Sequence, residues 1–124
     1  MVNKPKIQGT RFETYIVNKA KSLGMWSRRL AEGGSKDEGD LEIIPTNSPP
    51  FGKRYVVEAK HRQNLNIHQT MAKAIEKCPD KDTSIVAWKK TVRKNNNKKR
   101  SADGVTTVYC MDEETFFNLI GENE

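Results

Sequence analysis

Tyr55-Val56-Val57-Glu58-Ala59-Lys60 carries two alternating sets of side chains along one short run. Tyr55, Val57 and Ala59 fall on one side of an extended chain, with Val56, Glu58 and Lys60 on the other, the period-2 signature of a β-strand. Apolar residues on both sides predict a central strand. An acid and an amine placed there are expensive to hold without a partner or a task. Glu58 and Lys60 share one face, about 7 Å apart along the chain. The Glu-x-Lys triplet alone means little, because ten Glu and fifteen Lys in 124 residues yield roughly one by chance. Its setting gives it meaning.

Upstream, Leu41, Ile43 and Ile44 mark another strand, closed by Pro45 and entered through the turn-rich loop Glu32–Glu38. Met25 to Ala31 is a short strand candidate carrying Trp26 and Leu30. Residues 9–23 read as a helix, with Phe12, Ile16, Ala20 and Leu23 recurring at near-helical spacing, Tyr15 beside them and Gly24 as the stop. Downstream, Ile67, Met71, Ala74 and Ile75 predict a helix over about 66–77, with Pro79 beyond its end. Ser84–Trp88 and Val105–Cys110 are further strands, and the two tryptophans, Trp26 and Trp88, are assigned to the core. A final short helix is capped by Asp112 and packed through Phe116, Phe117, Leu119 and Ile120. The order α-β-β-β-α-β-β-α predicts an α/β fold, a central mixed β-sheet flanked by helices, in one domain spanning 1–124.

The net charge is +6. Lys89, Lys90, Arg93, Lys94, Lys98, Lys99 and Arg100 face only Asp103 between positions 89 and 104, so this stretch alone equals the excess of the whole chain. With only Val92 and Ala102 apolar, it has little to bury and reads as a basic, hairpin-like insertion, either a solvated loop or a contact for nucleic-acid phosphates. No apolar run is long enough to span a bilayer, and the start MVNKPKIQGT has no secretory h-region, so a cytoplasmic protein is expected. Cys78 and Cys110 lie 32 residues apart without CxxC spacing and read as free thiols. Phosphate-loop and GxSxG motifs are absent, and His61 and His68 are too few for a zinc or HNH-type centre.

What remains is a carboxylate chemistry. Asp40 stands at the mouth of the strand before Tyr55–Lys60, with 17 residues between it and Glu58. If those strands pair, Asp40 and Glu58 converge on one cation, and two carboxylates plus a carbonyl suit a hard divalent metal such as magnesium. Lys60 would then orient or deprotonate a water, or offset the charge of the transition state. Glu13, one residue round from the Phe12/Ile16 face, is a third carboxylate within reach, or simply an exposed helix glutamate. Arg28, Arg29 and Ser35 before the site, and Arg62 and Gln69 beyond it, join the basic insertion as candidates for DNA contact.

The succession of helix-borne Glu13, then Gly39-Asp40, then Glu58-Ala59-Lys60, then a helix and further strands, resembles the PD-(D/E)XK nuclease superfamily. With its small size and the opening Gly9-x-x-Phe12-Glu13, it is most similar to archaeal-type Holliday junction resolvases and their phage-encoded relatives, over roughly residues 8–88. The resemblance implies a restriction-endonuclease-like αβββαβ core and a magnesium or manganese site at Asp40 and Glu58 helped by Glu13. It makes Lys60 the catalytic lysine and implies a homodimer acting on branched DNA in recombination or repair, in the host cytoplasm if phage-encoded. Gly39 replaces the proline of the family's name, and Gln69 is followed four residues later by Lys73 where the exonuclease branch has tyrosine. Two other readings stand beside the resolvase: a nuclease of this fold with a restriction or repair substrate, and a non-catalytic basic module in which Glu58 and Lys60 form a structural ion pair.

Overall fold

Tyr55–Arg62 forms the third strand, β3, two residues longer than its alternation predicts, and it organises the sheet. The computed structural model describes residues 4–30, 37–45, 53–91 and 106–121. On one side β3 pairs antiparallel with β2 (Leu41–Ile44), and β2 pairs antiparallel with β1 (Trp26–Arg29). On the other side β3 pairs in parallel with β4 (Thr83–Lys90), whose outer neighbour is antiparallel β5 (Thr107–Cys110). The result is a mixed five-stranded sheet in the order β1-β2-β3-β4-β5, with β3 at its centre.

Three helices accompany it: α1 (Lys4–Ser22), α2 (Ile67–Lys77) and α3 (Glu113–Gly121). Phe12, Ile16 and Val17 of α1 pack on Leu41, Val57, Ala59, Ile85 and Ala87, one face of the sheet. Met71 and Ala74 of α2 cover Val86 on the opposite face. Strand alternation separates the two cores: Val57 and Ala59 point to α1, leaving Val56, Glu58 and Lys60 toward α2. Ile16, Leu41, Val57 and Val86 are fully buried, each stabilising the fold by about 1.5–3 kcal/mol. The parallel β3–α2–β4 connection needs a crossover, and Asn66 starts its helix by accepting from the Gln69 amide at 3.1 Å. No helix among the described residues is long and apolar enough to cross a membrane.

Several sequence expectations need correction. α1 begins at Lys4, five residues before the expected start, because Pro5 falls in its first turn, where a missing N–H costs nothing. Leu23 is exposed: the helix ends at Ser22, Gly24 takes φ +86°, and Val17 occupies the core instead. Trp26 is exposed at the start of edge strand β1, whose inward residue is Ser27, donating to Glu42 O at 2.7 Å. Trp88 is half-buried and donates its indole N–H to Arg62 O at 2.9 Å. Ile75 lies off the buried stripe of α2. The last helix starts as expected, with Asp112 accepting from the Thr115 amide, but none of its residues is buried. Phe116 and Phe117 stack edge-on against each other, both exposed.

Candidate active site

Asp40 reaches the site through a glycine. Gly39 has φ +155°, and a Cβ there would lie 2.5 Å from Val56 Cγ1 and 3.4 Å from Val57 O. Proline, with φ held near −65°, is incompatible with this backbone, and any Cβ would overlap the Val56 side chain unless one of them shifted. The two residues before Gly39 are tethered by ion pairs, Asp37 to Lys77 Nζ at 3.2 Å and Glu38 to Arg54 at 2.9 Å. Asp40 then grips β3 on both sides of Glu58. Its amide donates to Val57 O (3.0 Å), and its Oδ2 accepts from the Ala59 amide (2.8 Å).

That grip sets two carboxylates beside each other. Burial, then the Glu58 charge, and more weakly Glu13, push the Asp40 carboxyl up to about 6, against the pull of the Ala59 amide and Lys60. Asp40 therefore feels Glu13, Glu58 and Lys60 at once, and the four residues form one electrostatic unit. Glu58 Oε2 lies 3.5 Å from Lys60 Nζ. Glu58 Oε1 is buried and pairs with Lys77 Nζ at 3.0 Å. Glu13 is engaged by Arg29, whose Nε donates to it at 3.0 Å. Among the described residues, no three His, Cys, Asp or Glu side chains converge closely enough to enclose a metal ion.

A cleft of about 530 Å³ opens beside Glu58 and Lys60, walled by Arg62, Gln69, Lys73 and Lys77 among others. Arg62 sits opposite Lys90 in the β3–β4 register, so Lys60, Arg62 and Lys90 line one face at the ends of two parallel strands. Lys89, half-buried, belongs to the other face. Arg28 is bonded to Glu42 and Arg29 to Glu13, so both arginines flanking the site already serve acids of this chain. Ser35, Arg93, Lys94, Lys98, Lys99 and Arg100, and with them most of the basic insertion, lie outside the described residues.

Three charged groups escaped the sequence reading. Glu42 is buried in β2, and Arg54 bonds it at 2.6 Å, together with Glu38 and Asp82 (2.8 Å). Burial alone would raise the Glu42 carboxyl; hydrogen bonds from Arg54 and Arg28 outweigh it and hold it below its ordinary value. The third is Lys77, three residues after buried Ala74 and so on the stripe of α2 that meets the sheet. A lysine continuing an apolar stripe, opposite a face that carries Glu58, was the available signal.

Comparison with known proteins returns no match: no protein-family model, no curated protein and no solved structure aligns with the chain.

Proposed function

We propose that the chain is a magnesium-dependent endodeoxyribonuclease of the PD-(D/E)XK type, selective for branched DNA and working as a homodimer. The observation that carries this is the Asp40–Glu58 pair: a largely buried Glu58 carboxylate beside an Asp40 carboxylate fixed by the Ala59 amide, near enough that the Glu58 charge adds to burial in raising the Asp40 carboxyl. A built site of this kind suits a hard cation with oxygen ligands. Asp40 and Glu58 would hold it, and manganese fits the same donors. Such an ion, when bound, supplies a Lewis acid for the scissile phosphate and a water of lowered pKa.

The chain's own residues supply the rest. The Ala59 amide fixes the Asp40 carboxylate, and Gly39 allows its close approach. Lys60 holds or accepts the proton of the attacking water, or offsets charge developing on the phosphate. Arg62 and Lys73 dock the backbone phosphates that pass the cleft, Lys90 stands beside Arg62 on the adjoining strand, and Gln69 can bond a sugar or base edge. Glu13 acts on Asp40 through space and fixes Arg29.

The dimer reading rests on symmetry and on surface. One subunit has one such site, so paired nicks on opposed strands need two subunits related by a two-fold axis. Phe116, Phe117 and Ile120 leave large apolar side chains exposed on α3, as Val108 and Tyr109 do on the two faces of edge strand β5. A second copy would cover those on α3. A rival reading has its own observation: Lys60 and Lys77 both contact Glu58, as in a structural ion cluster of a non-catalytic DNA-binding module.

The test combines light scattering for mass with denaturing gels of a four-way junction labelled on each strand in turn, beside linear duplex. A dimer that nicks opposed junction strands with magnesium, well before linear duplex, is the expected result. Binding without magnesium-dependent nicking establishes the module instead, and a monomer that degrades linear ends faster removes the resolvase reading while leaving the nuclease one. Neutralising Lys94, Lys98, Lys99 and Arg100 should flatten the salt dependence of binding by up to roughly 0.9 per lost phosphate contact. An unchanged slope in a binding titration would take the insertion out of the interface.

A further inference from the structure

Lys77 ends α2 with its ammonium shared between two carboxylates of very different exposure. Glu58 Oε1, 3.0 Å away, is buried, whereas Asp37 Oδ2, 3.2 Å away, belongs to a side chain that is 75% exposed. Burial would lower the Lys77 pKa, but Glu58 and Asp37 together raise it, so the group carries its charge at neutral pH. Lys60 approaches the other oxygen of Glu58 at 3.5 Å. The two oxygens of this carboxylate thus have separate cations: Lys60 from the same strand on Oε2, and Lys77 from the overlying helix on Oε1.

A divalent cation held by Asp40 and Glu58 makes the same demand on Glu58 that Lys77 makes. Two positive charges cannot share one buried oxygen cheaply, because their repulsion is poorly screened there. Lys77 has a second partner to fall back on, in the very segment that leads into Asp40. We infer that Lys77 is a positioning residue that competes with metal for Glu58, moving onto Asp37 as the ion loads. The inference rests on the nuclease reading of the Asp40–Glu58 pair and adds to it a device that keeps Glu58 in place, at the expense of metal affinity. A lysine that merely closed the helix end would leave that affinity unchanged.

The experiment is calorimetric titration of Mn²⁺ into the full chain, freed of metal by EDTA and dialysed, at pH 8 where Asp40 is ionised. Lys77→Met should bind Mn²⁺ on the order of 10-fold more tightly than the unaltered protein, the scale of one close charge removed from a partly buried site. Lys77→Arg, which keeps the charge, should restore the original affinity. Lys73→Met removes the same charge from the same cleft without a Glu58 contact, and should change affinity by no more than about twofold. Asp37→Asn takes away the fallback partner and should weaken binding by roughly two- to threefold. Should Lys77→Met fail to fold by circular dichroism, Asp37→Asn decides alone: weaker binding supports the exchange, and unchanged or tighter binding overturns it. Equal Mn²⁺ affinity in the unaltered protein and Lys77→Met overturns the competition and leaves the metal pair standing. No binding by either overturns the metal pair, and this inference with it.

Discussion

Lys60→Ala should slow nicking by about 10²–10³-fold while leaving affinity for the same DNA within a factor of about three. The asymmetry follows from where Lys60 sits. Its Nζ is 3.5 Å from Glu58, in a cleft that Arg62 and Lys73 also line. In the proposed complex the phosphates would be shared among those cations, and losing one charge among several costs little binding. In the proposed transition state the reacting phosphate would gain charge beside the carboxylate pair, where Lys60 is the cation of β3 in contact with Glu58. A contact made mainly at that moment appears in the rate and barely in the affinity. Single-turnover nicking rates, set beside anisotropy titrations of the same labelled junction, separate the two. Equal losses in rate and affinity would reassign Lys60 to phosphate docking. Lys60→Arg should fall between, since it keeps the charge but spreads it over a planar fork.

The central strand was legible because period-2 alternation is a local property: Val57 and Ala59 meet α1, and Glu58 and Lys60 share the other face. Element order was legible for the same reason, through turn residues and helical stripes. Periodicity records which side of an element is apolar and says nothing of what covers it. α3 carries Phe116, Phe117 and Ile120, and all three are exposed. Ile75 sits beside a buried stripe without joining it, and Trp26 heads a strand whose only buried side chain is Ser27.

Charges paired across long separations were the least legible. Arg54 and Asp82 are 28 residues apart, and Lys77 and Asp37 are 40 apart. Nothing in either local neighbourhood announces a partner. Yet these bonds place the candidate site, because Arg54 on Glu38 and Lys77 on Asp37 hold the segment that delivers Asp40 to β3. Glu42 read as one polar residue in an apolar strand. It is instead a buried acid whose ionised form depends on two arginines, one before β3 and one in β1. The sequence showed the carboxylates and left their counter-charges hidden.

Asp40→Asn should make the protein more stable at neutral pH while abolishing nicking. Burial and the Glu58 charge raise the Asp40 carboxyl from 3.8 to about 6 in the folded chain. A carboxyl whose folded pKa lies above its unfolded value binds its proton more tightly when folded. Its favourable contribution is therefore complete below about 3.8, and it is lost as pH rises through about 6. At pH 7 the ionised carboxylate costs the fold roughly 2 kcal/mol, after discounting for the solvent that reaches it. Asparagine is neutral at every pH, and its carbonyl can still accept from the Ala59 amide. In EDTA at pH 7 the Asp40→Asn protein should melt about 6–10 °C above the unaltered one, and the gap should close toward pH 4. The same substitution removes one of two carboxylates from the proposed metal pair, so stability and activity should move in opposite directions. Thermal melts from pH 4 to 8, run beside nicking assays, read both. A melting point unchanged at pH 7 would mean that neither burial nor Glu58 strains Asp40, and the pair would lose the closeness from which its metal-binding role is argued.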